Sequence, residues 1–218
     1  MATPYTSVSS SQSGYIPGGK LLGVGRCPHC AVASPNLNKL WSDNWPEYGE
    51  TRWASFRCNT CGSVVTAKLI WNDPNRLEAV ALWPAAKVAH DDIPEPARTF
   101  LQQSFETLHA PDAAAVMAGS AVDAMLKDRG YKDGSLYSRI DKALADNLLT
   151  KGMADWAHEV RLGSNRPRHA DAEKPHVSAD EAKQSVEFAE ALGNFLFVLT
   201  AKIDRGIKAA KAAILENA

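Results

Sequence analysis

Cys27-Pro28-His29-Cys30 and Cys58-Asn59-Thr60-Cys61-Gly62 are the stretches on which the reading of the fold turns. A two-residue gap lets both sulfurs of a tight turn reach one ion, so two such pairs supply four thiolates in tetrahedral geometry, the pattern of a structural zinc ion. The chain has no other cysteine. Four thiolates leave no open coordination position, so the expected Zn2+, one per chain, organises the fold and takes no part in catalysis. The 27 residues between the pairs exceed the roughly 15 to 20 of the common pattern, which predicts an insertion at Pro35–Tyr48 carrying Trp41 and Trp45. A redox-active pair would need a βαβ setting that these segments lack. His29 sits inside a knuckle and, with four Cys available, is expected to face solvent.

Around the cysteines the chain reads as β structure. Five of the six Trp lie between Lys20 and Pro84, together with β-favouring runs at Trp53–Arg57, Val64–Trp71 and Leu77–Trp83. Asn72-Asp73-Pro74-Asn75 supplies turn residues between the last two runs and predicts a hairpin. The tryptophans are expected in the core of this unit, with an exposed pair able to stack bases as the alternative. Residues 1–19, rich in Ser, Thr and Gly, show no periodicity and are expected to be a flexible tail. Gly14 to Leu21 resembles a phosphate loop by chance only, since Leu21 stands where a hydroxyl should hold Mg2+.

Beyond Pro84 helical periodicity takes over. The reading is a zinc ribbon at 20–84, a linker at 85–93, a helical domain at 94–205 and a C-terminal extension at 206–218: an α+β chain whose second part is an all-α bundle of about five helices. Helix starts are marked by Pro94–Glu95, by Pro111–Asp112, by Ser135 as N-cap, by Gly152, and by the capping box of Ser178 and Glu181. Gly163 and Pro167 predict that the fourth helix stops near Leu162 and is followed by a structured turn. His90-Asp91-Asp92 reads as a solvated linker.

Composition bounds the function. With 24 Lys and Arg against 25 Asp and Glu, no global charge attracts nucleic acid or acidic membranes. The distribution is uneven. Residues 1–90 carry eight basic and five acidic side chains, a net of +3, and residues 91–218 carry 16 and 20, a net of −4. No apolar run approaches the ~20 residues of a membrane span, no secretory h-region is visible, and paired cysteines without disulfide logic suit a reduced, cytoplasmic setting.

One basic cluster stands out in the acidic half: Arg161-Leu162-Gly163-Ser164-Asn165-Arg166-Pro167-Arg168-His169-Ala170-Asp171. With the two CxxC pairs, Leu82-Trp83-Pro84 and the Ala113–Leu126 helix, it makes the chain resemble the bacterial and phage domain of unknown function 4145, from Cys27 to about Arg205. That family is in turn similar to HEPN helical domains. The resemblance implies dimerisation and, in many members, metal-independent RNA cleavage through an Arg and a His, with related modules in restriction and phage-defence systems. Carried onto this sequence, Arg161 would contact the scissile phosphate and His169 would act as general acid or base. Such roles are chemically sound, because His titrates near neutrality and a guanidinium stabilises phosphorane charge. The structural alternative pairs Arg161 with an acid such as Asp123, while Asn165 and His169 bond to loop carbonyls.

Three functions stay open at this stage. The first is a module that binds nucleic acid through Asn165, Arg166 and Arg168, or assembles with a defence-system protein. The second is a ribonuclease acting through Arg161 and His169 at a homodimer interface, and the third a purely scaffolding dimer. Unpaired apolar stripes on the long helices also favour a homodimer.

Overall fold

The computed structural model describes residues 14–16, 19–43, 51–73, 76–170 and 172–216. The chain forms two compact units, Met1–Lys87 and Val88–Ala218. As the sequence predicts, the architecture is α+β, strands first and helices after.

The first unit is an antiparallel sheet of six strands, β1 (Gly14–Ile16), β2 (Lys20–Leu22), β3 (Leu37–Ser42), β4 (Thr51–Cys58), β5 (Val64–Asp73) and β6 (Arg76–Trp83). Each pairs with the next, and Tyr15 opposite Leu77 closes the sheet into a small barrel. Period-two alternation sends Ala54, Phe56 and Cys58 of β4 inward, and in β5 Val65, Ala67 and Leu69. These sets face one another in register, Ala54 opposite Ala67 and Phe56 opposite Val65. With Leu21, Val24, Leu37 and Cys27 they form one buried cluster, and closure removes the exposed edges that an open sheet of this size would present.

One expectation changes here. Gly14–Ile16, inside the stretch read as a tail, is a strand, because its backbone supplies the pairing that joins β2 to β6. Gly14–Ile16 and Lys20–Leu22 are paired strands, in keeping with the chance character of the phosphate-loop match. Within the expected insertion, Leu37–Ser42 is strand β3, paired with β4 across a bulge between Lys39 and Trp41; Trp45 lies outside the described residues. The predicted hairpin is present, with Asp73 opposite Arg76, although Pro74 and Asn75 also fall outside them.

The second unit consists of α1 (Ala97–Glu106), α2 (Pro111–Asp128), α3 (Leu136–Ala145), α4 (Lys151–His169) and α5 (Ala179–Gly193), which runs through a π-helical segment (Asn194–Leu199) into α6 (Thr200–Glu216). This makes five helical rods. Helix α2 is central, and its Ala114, Ala115, Ala118, Ala121, Val122 and Met125 are all fully buried. Small side chains there let neighbouring helices approach closely. A Cβ on Gly119 would lie 2.7 Å from the Cβ of Ser164, and one on Gly193 would lie 2.8 Å from Cδ1 of Ile93. The Ser135 cap forms, accepting from the Ser138 N–H, as does the Ser178–Glu181 capping box. No helix among the described residues is long and apolar enough to cross a membrane.

Helix α4 overturns the predicted stop at Leu162. It passes through Gly163 and Pro167 and ends at Ala170, whose left-handed backbone (φ 46°) lets its N–H close on the Arg166 carbonyl. Gly163 is a packing residue: it is buried, and its missing Cβ faces the Ser185 hydroxyl of α5. Pro167 deprives the Gly163 carbonyl of its helical donor, and side-chain ties from the same turn offset that loss. Arg166 donates to Glu181 of α5, and Arg168 to Ser120 and the Val116 carbonyl of α2. Nor is His90–Asp92 merely solvated linker, since Asp91 pairs with Arg98 and Asp92 takes both guanidinium nitrogens of Arg205 at 2.8 Å.

Candidate functional site

The four cysteines meet at one point, although they arise from two loops, β2–β3 and β4–β5. Their sulfurs all lie within 4.8 Å of one another, with Cys27 and Cys61 at 4.0 Å. A tetrahedral ion with ~2.3 Å bonds to sulfur requires sulfurs about 3.8 Å apart. The donor set thus fits a metal ion and is compatible with structural zinc.

The two knuckles share one backbone plan. Cys27 and Cys58 each accept, through their carbonyls, the N–H four residues on, from Ala31 and Gly62. Each also donates to the carbonyl five residues on, of Val32 and Ser63. Ala31 and Gly62 both have left-handed backbones, φ 59° and 73°. In both knuckles the Arg before the first Cys donates to the carbonyl of that left-handed residue, Arg26 to Ala31 at 3.1 Å and Arg57 to Gly62 at 3.2 Å. The clamping arginines escape a search for ligands alone, but the repeated Arg-Cys-x-x-Cys in the sequence marks them. His29 is exposed, as expected, and it also donates from Nε2 to the Val64 carbonyl at 2.9 Å, tying the first knuckle to the strand that follows the second. It remains outside the sulfur cluster.

The thiols titrate far apart. Burial pushes Cys27 up, and burial with the closeness of Cys61 and Cys27 pushes Cys30 up to about 12. At Cys58 burial acts in the same direction, but hydrogen bonds from the backbone of Cys61 and Thr60 outweigh it and lower the thiol to about 7. The knuckle backbone therefore favours a thiolate at Cys58.

The outer face of the barrel is aromatic. Trp41 of β3 stands opposite Ser55, Ser55 opposite Thr66, and Thr66 opposite Trp83, so one row crosses four strands. Trp53 faces Lys68 in the adjoining row and packs diagonally on Trp83, ring centroids 5.1 Å apart. Trp41 is 55% exposed and Trp53 38%. The expected burial of the tryptophans thus fails for these residues: their register places them with outward-facing Ser55 and Thr66, while the inward positions hold Ala and Phe. The result is an outer surface on which the Trp53 and Trp83 rings meet at 39°, with Trp41 in the row of Trp83 and Lys68 across from Trp53.

The Arg–His segment is arranged differently from its expected role. Arg161 and His169 are eight residues apart on one helix, about 12 Å along its axis. The Arg161 guanidinium lies over the Tyr137 ring, 5.3 Å from its centroid. Tyr137 also stacks on His158, a turn before Arg161, so Arg161 reaches away from His169, which is exposed at the helix end. Nor does Arg161 meet Asp123, whose carboxylate takes Arg139 and Lys127. The neighbouring His158 offers a substrate no nitrogen: Nε2 bonds Asp141 at 3.0 Å, and Nδ1 is shut off from solvent.

Arg166 borders a cleft of about 270 Å³ between α4 and α5, rimmed by Trp156 and Glu159. Its charge is met by Glu181, which also binds Lys174. Arg168 is engaged with α2, as above, and Asn165 is half-buried on the same turn. Arg166 and Arg168 hold the end of α4 against its neighbours.

A family model described as "Domain of unknown function (DUF4145)" matches residues 102–211, half of the chain and within the helical unit. Neither a curated protein nor a solved structure matches.

Proposed function

The chain belongs to the domain of unknown function 4145 family, and since that description assigns no chemistry we propose from the site itself that the protein binds single-stranded nucleic acid through its barrel. One observation carries the reading, the outward-facing Trp41 and Trp83 in one row with Trp53 and Lys68 in the next, on a unit with net positive charge. Exposed indoles cost free energy in water, and bases stack on them without regard to sequence, while nearby cations hold the backbone. The four thiolates would hold structural Zn2+, which fixes the β2–β3 and β4–β5 loops and so the strands that carry the indoles. Thiolate ligation suits a reducing, cytoplasmic compartment, and the family resemblance favours a restriction or phage-defence setting.

The test is fluorescence anisotropy with labelled single-stranded RNA and DNA at several salt concentrations. Binding should weaken with salt, and Trp53→Ala should cost about 1–3 kcal/mol, the worth of one base stacked on an aromatic ring. No binding to either strand, or binding indifferent to Trp41→Ala and Trp53→Ala in folded, metal-loaded protein, overturns the reading. Cleavage through Arg161 and His169 finds no support within one chain, because Arg161 is turned away. A ribonuclease would need a second copy to bring the two together, and RNA cleavage lost in both Arg161→Ala and His169→Ala would establish it.

A further inference from the structure

The cleft between α4 and α5 lies wholly within the helical unit, and the spacing of residues along α4 builds it. Trp156, Glu159, Gly163 and Arg166 follow one another at steps of three and four, so they share one face of the helix and line the cleft together. Gly163, in their midst, leaves the floor open. A Cβ there would stand 3.8 Å from the Ser185 hydroxyl oxygen and 4.0 Å from a guanidinium nitrogen of Arg166, ordinary contacts that the site accommodates. At about 270 Å³ the cleft falls just below the ~300–1,000 Å³ of sites for drug-sized ligands. It has room for a small molecule only.

The lining is neutral in sum but not in layout. It holds two acids, Glu159 and Glu181, and two bases, Arg166 and Lys174, and three of these four gather at one end, joined through Glu181. Glu159 stands apart from them, one turn from Trp156. The Trp156 indole is exposed and braced from behind by Phe188, ring centroids 5.0 Å apart. Glu159 is exposed too, with no hydrogen bond or ion pair among the described residues. A carboxylate beside an indole face receives an ammonium. Arg166, two turns on and about 10 Å along the axis, engages Glu181 through one nitrogen and has further N–H donors, the group that best matches a carboxylate. Between the two ends lies the exposed Gln184 amide, a donor and an acceptor.

We propose that this cleft binds a short peptide with free termini, its ammonium at Trp156 and Glu159, its carboxylate at Arg166 and a peptide group against Gln184. A lining that is neutral overall but charged at both ends selects a zwitterion over a simple anion or cation, and the distance between the ends sets its length. An extended chain advances about 3.3–3.6 Å per residue, and the Arg166 side chain leans back toward the start of its helix. A span somewhat under 10 Å therefore takes two or three residues. A single amino acid, whose charged groups share one carbon, reaches only one end. The inference stands independently of nucleic-acid binding.

The experiment is isothermal titration calorimetry of trialanine into the metal-loaded full chain, with circular dichroism to confirm that each variant is folded. Trialanine is expected to bind, and N-acetyl-trialanine and trialanine amide, each lacking one terminal charge, should bind at least about tenfold more weakly, the worth of one charged hydrogen bond. Glu159→Gln should weaken trialanine to the same degree and leave N-acetyl-trialanine unchanged, because the acetylated peptide has no ammonium to lose. Gly163→Ala should keep the fold and weaken trialanine by setting a methyl group on the floor. No binding at about 10 mM trialanine overturns the proposal. So does binding that is indifferent to blocking either terminus or to Glu159→Gln, since the two charged ends would then not select the ligand.

Discussion

Glu181 holds together more of the helical unit than any other acid among the described residues. It closes the capping box at the start of α5, accepts from Arg166 at the end of α4, and takes Lys174 from the intervening loop. The Lys174 ammonium, the Ser178 N–H and the Arg166 guanidinium hold its carboxyl well below the usual carboxylate range. A carboxyl depressed in the folded state stabilises above its unfolded value of about 4.3 and ceases to do so as pH falls. Asp112, held down by the Val177 N–H and His176, acts in the same direction. Because Glu181 is partly exposed, solvent screening limits its share to on the order of 1 kcal/mol. Glu181→Gln should therefore lower stability to urea at pH 7 and flatten its decline between pH 5 and pH 3. Equal losses at both ends of that range would show that the carboxylate's charge is not what matters.

At the scale of elements, legibility followed the range of the signal. The Ser135 and Ser178 caps and the CxxC knuckles are local, each decided within four residues, and all were readable. Gly163 and Pro167 carry the local signature of a stop, yet α4 continues because contacts with Ser185, Glu181 and Ser120, distant in sequence, reward helix there. Likewise nothing local says whether Trp53 faces inward; the register against Lys68 decides it, and one residue of slip would reverse the answer. The metal centre is the element whose removal should be most visible. A bound ion would join two loops that otherwise share few bonds, so stripping it should unfold the barrel, as binding energy would there be folding energy. Binding must also drive protons from thiols such as Cys30, raised to about 12, so affinity should fall as pH drops. Competition with a chromophoric chelator between pH 8 and pH 6 measures this, and a pH-independent affinity would contradict thiol ligation. Cys58→Ser should abolish tight binding.

At the scale of the whole molecule, the two units have separate buried clusters, one from Leu21 to Leu82 and one from Ala89 to Val198. Each core is closed by a different device, a cluster of four thiols in one and close helix contact in the other. Two independent perturbations should therefore act on two different unfolding transitions. Chelation removes the link between the barrel loops and leaves every helix contact in place. Gly119→Ala does the opposite: its Cβ would enter the α2–α4 contact 2.7 Å from the Cβ of Ser164, an overpacking that typically costs about 1–3 kcal/mol. Calorimetry should resolve two transitions, with chelation lowering or abolishing one and Gly119→Ala lowering the other, by several degrees for a domain of this size. Combined, the perturbations should add, because they act on separate buried clusters. A single transition moved by both would mean that the units fold as one cooperative body, in which the metal centre stabilises the helices as directly as it does the strands.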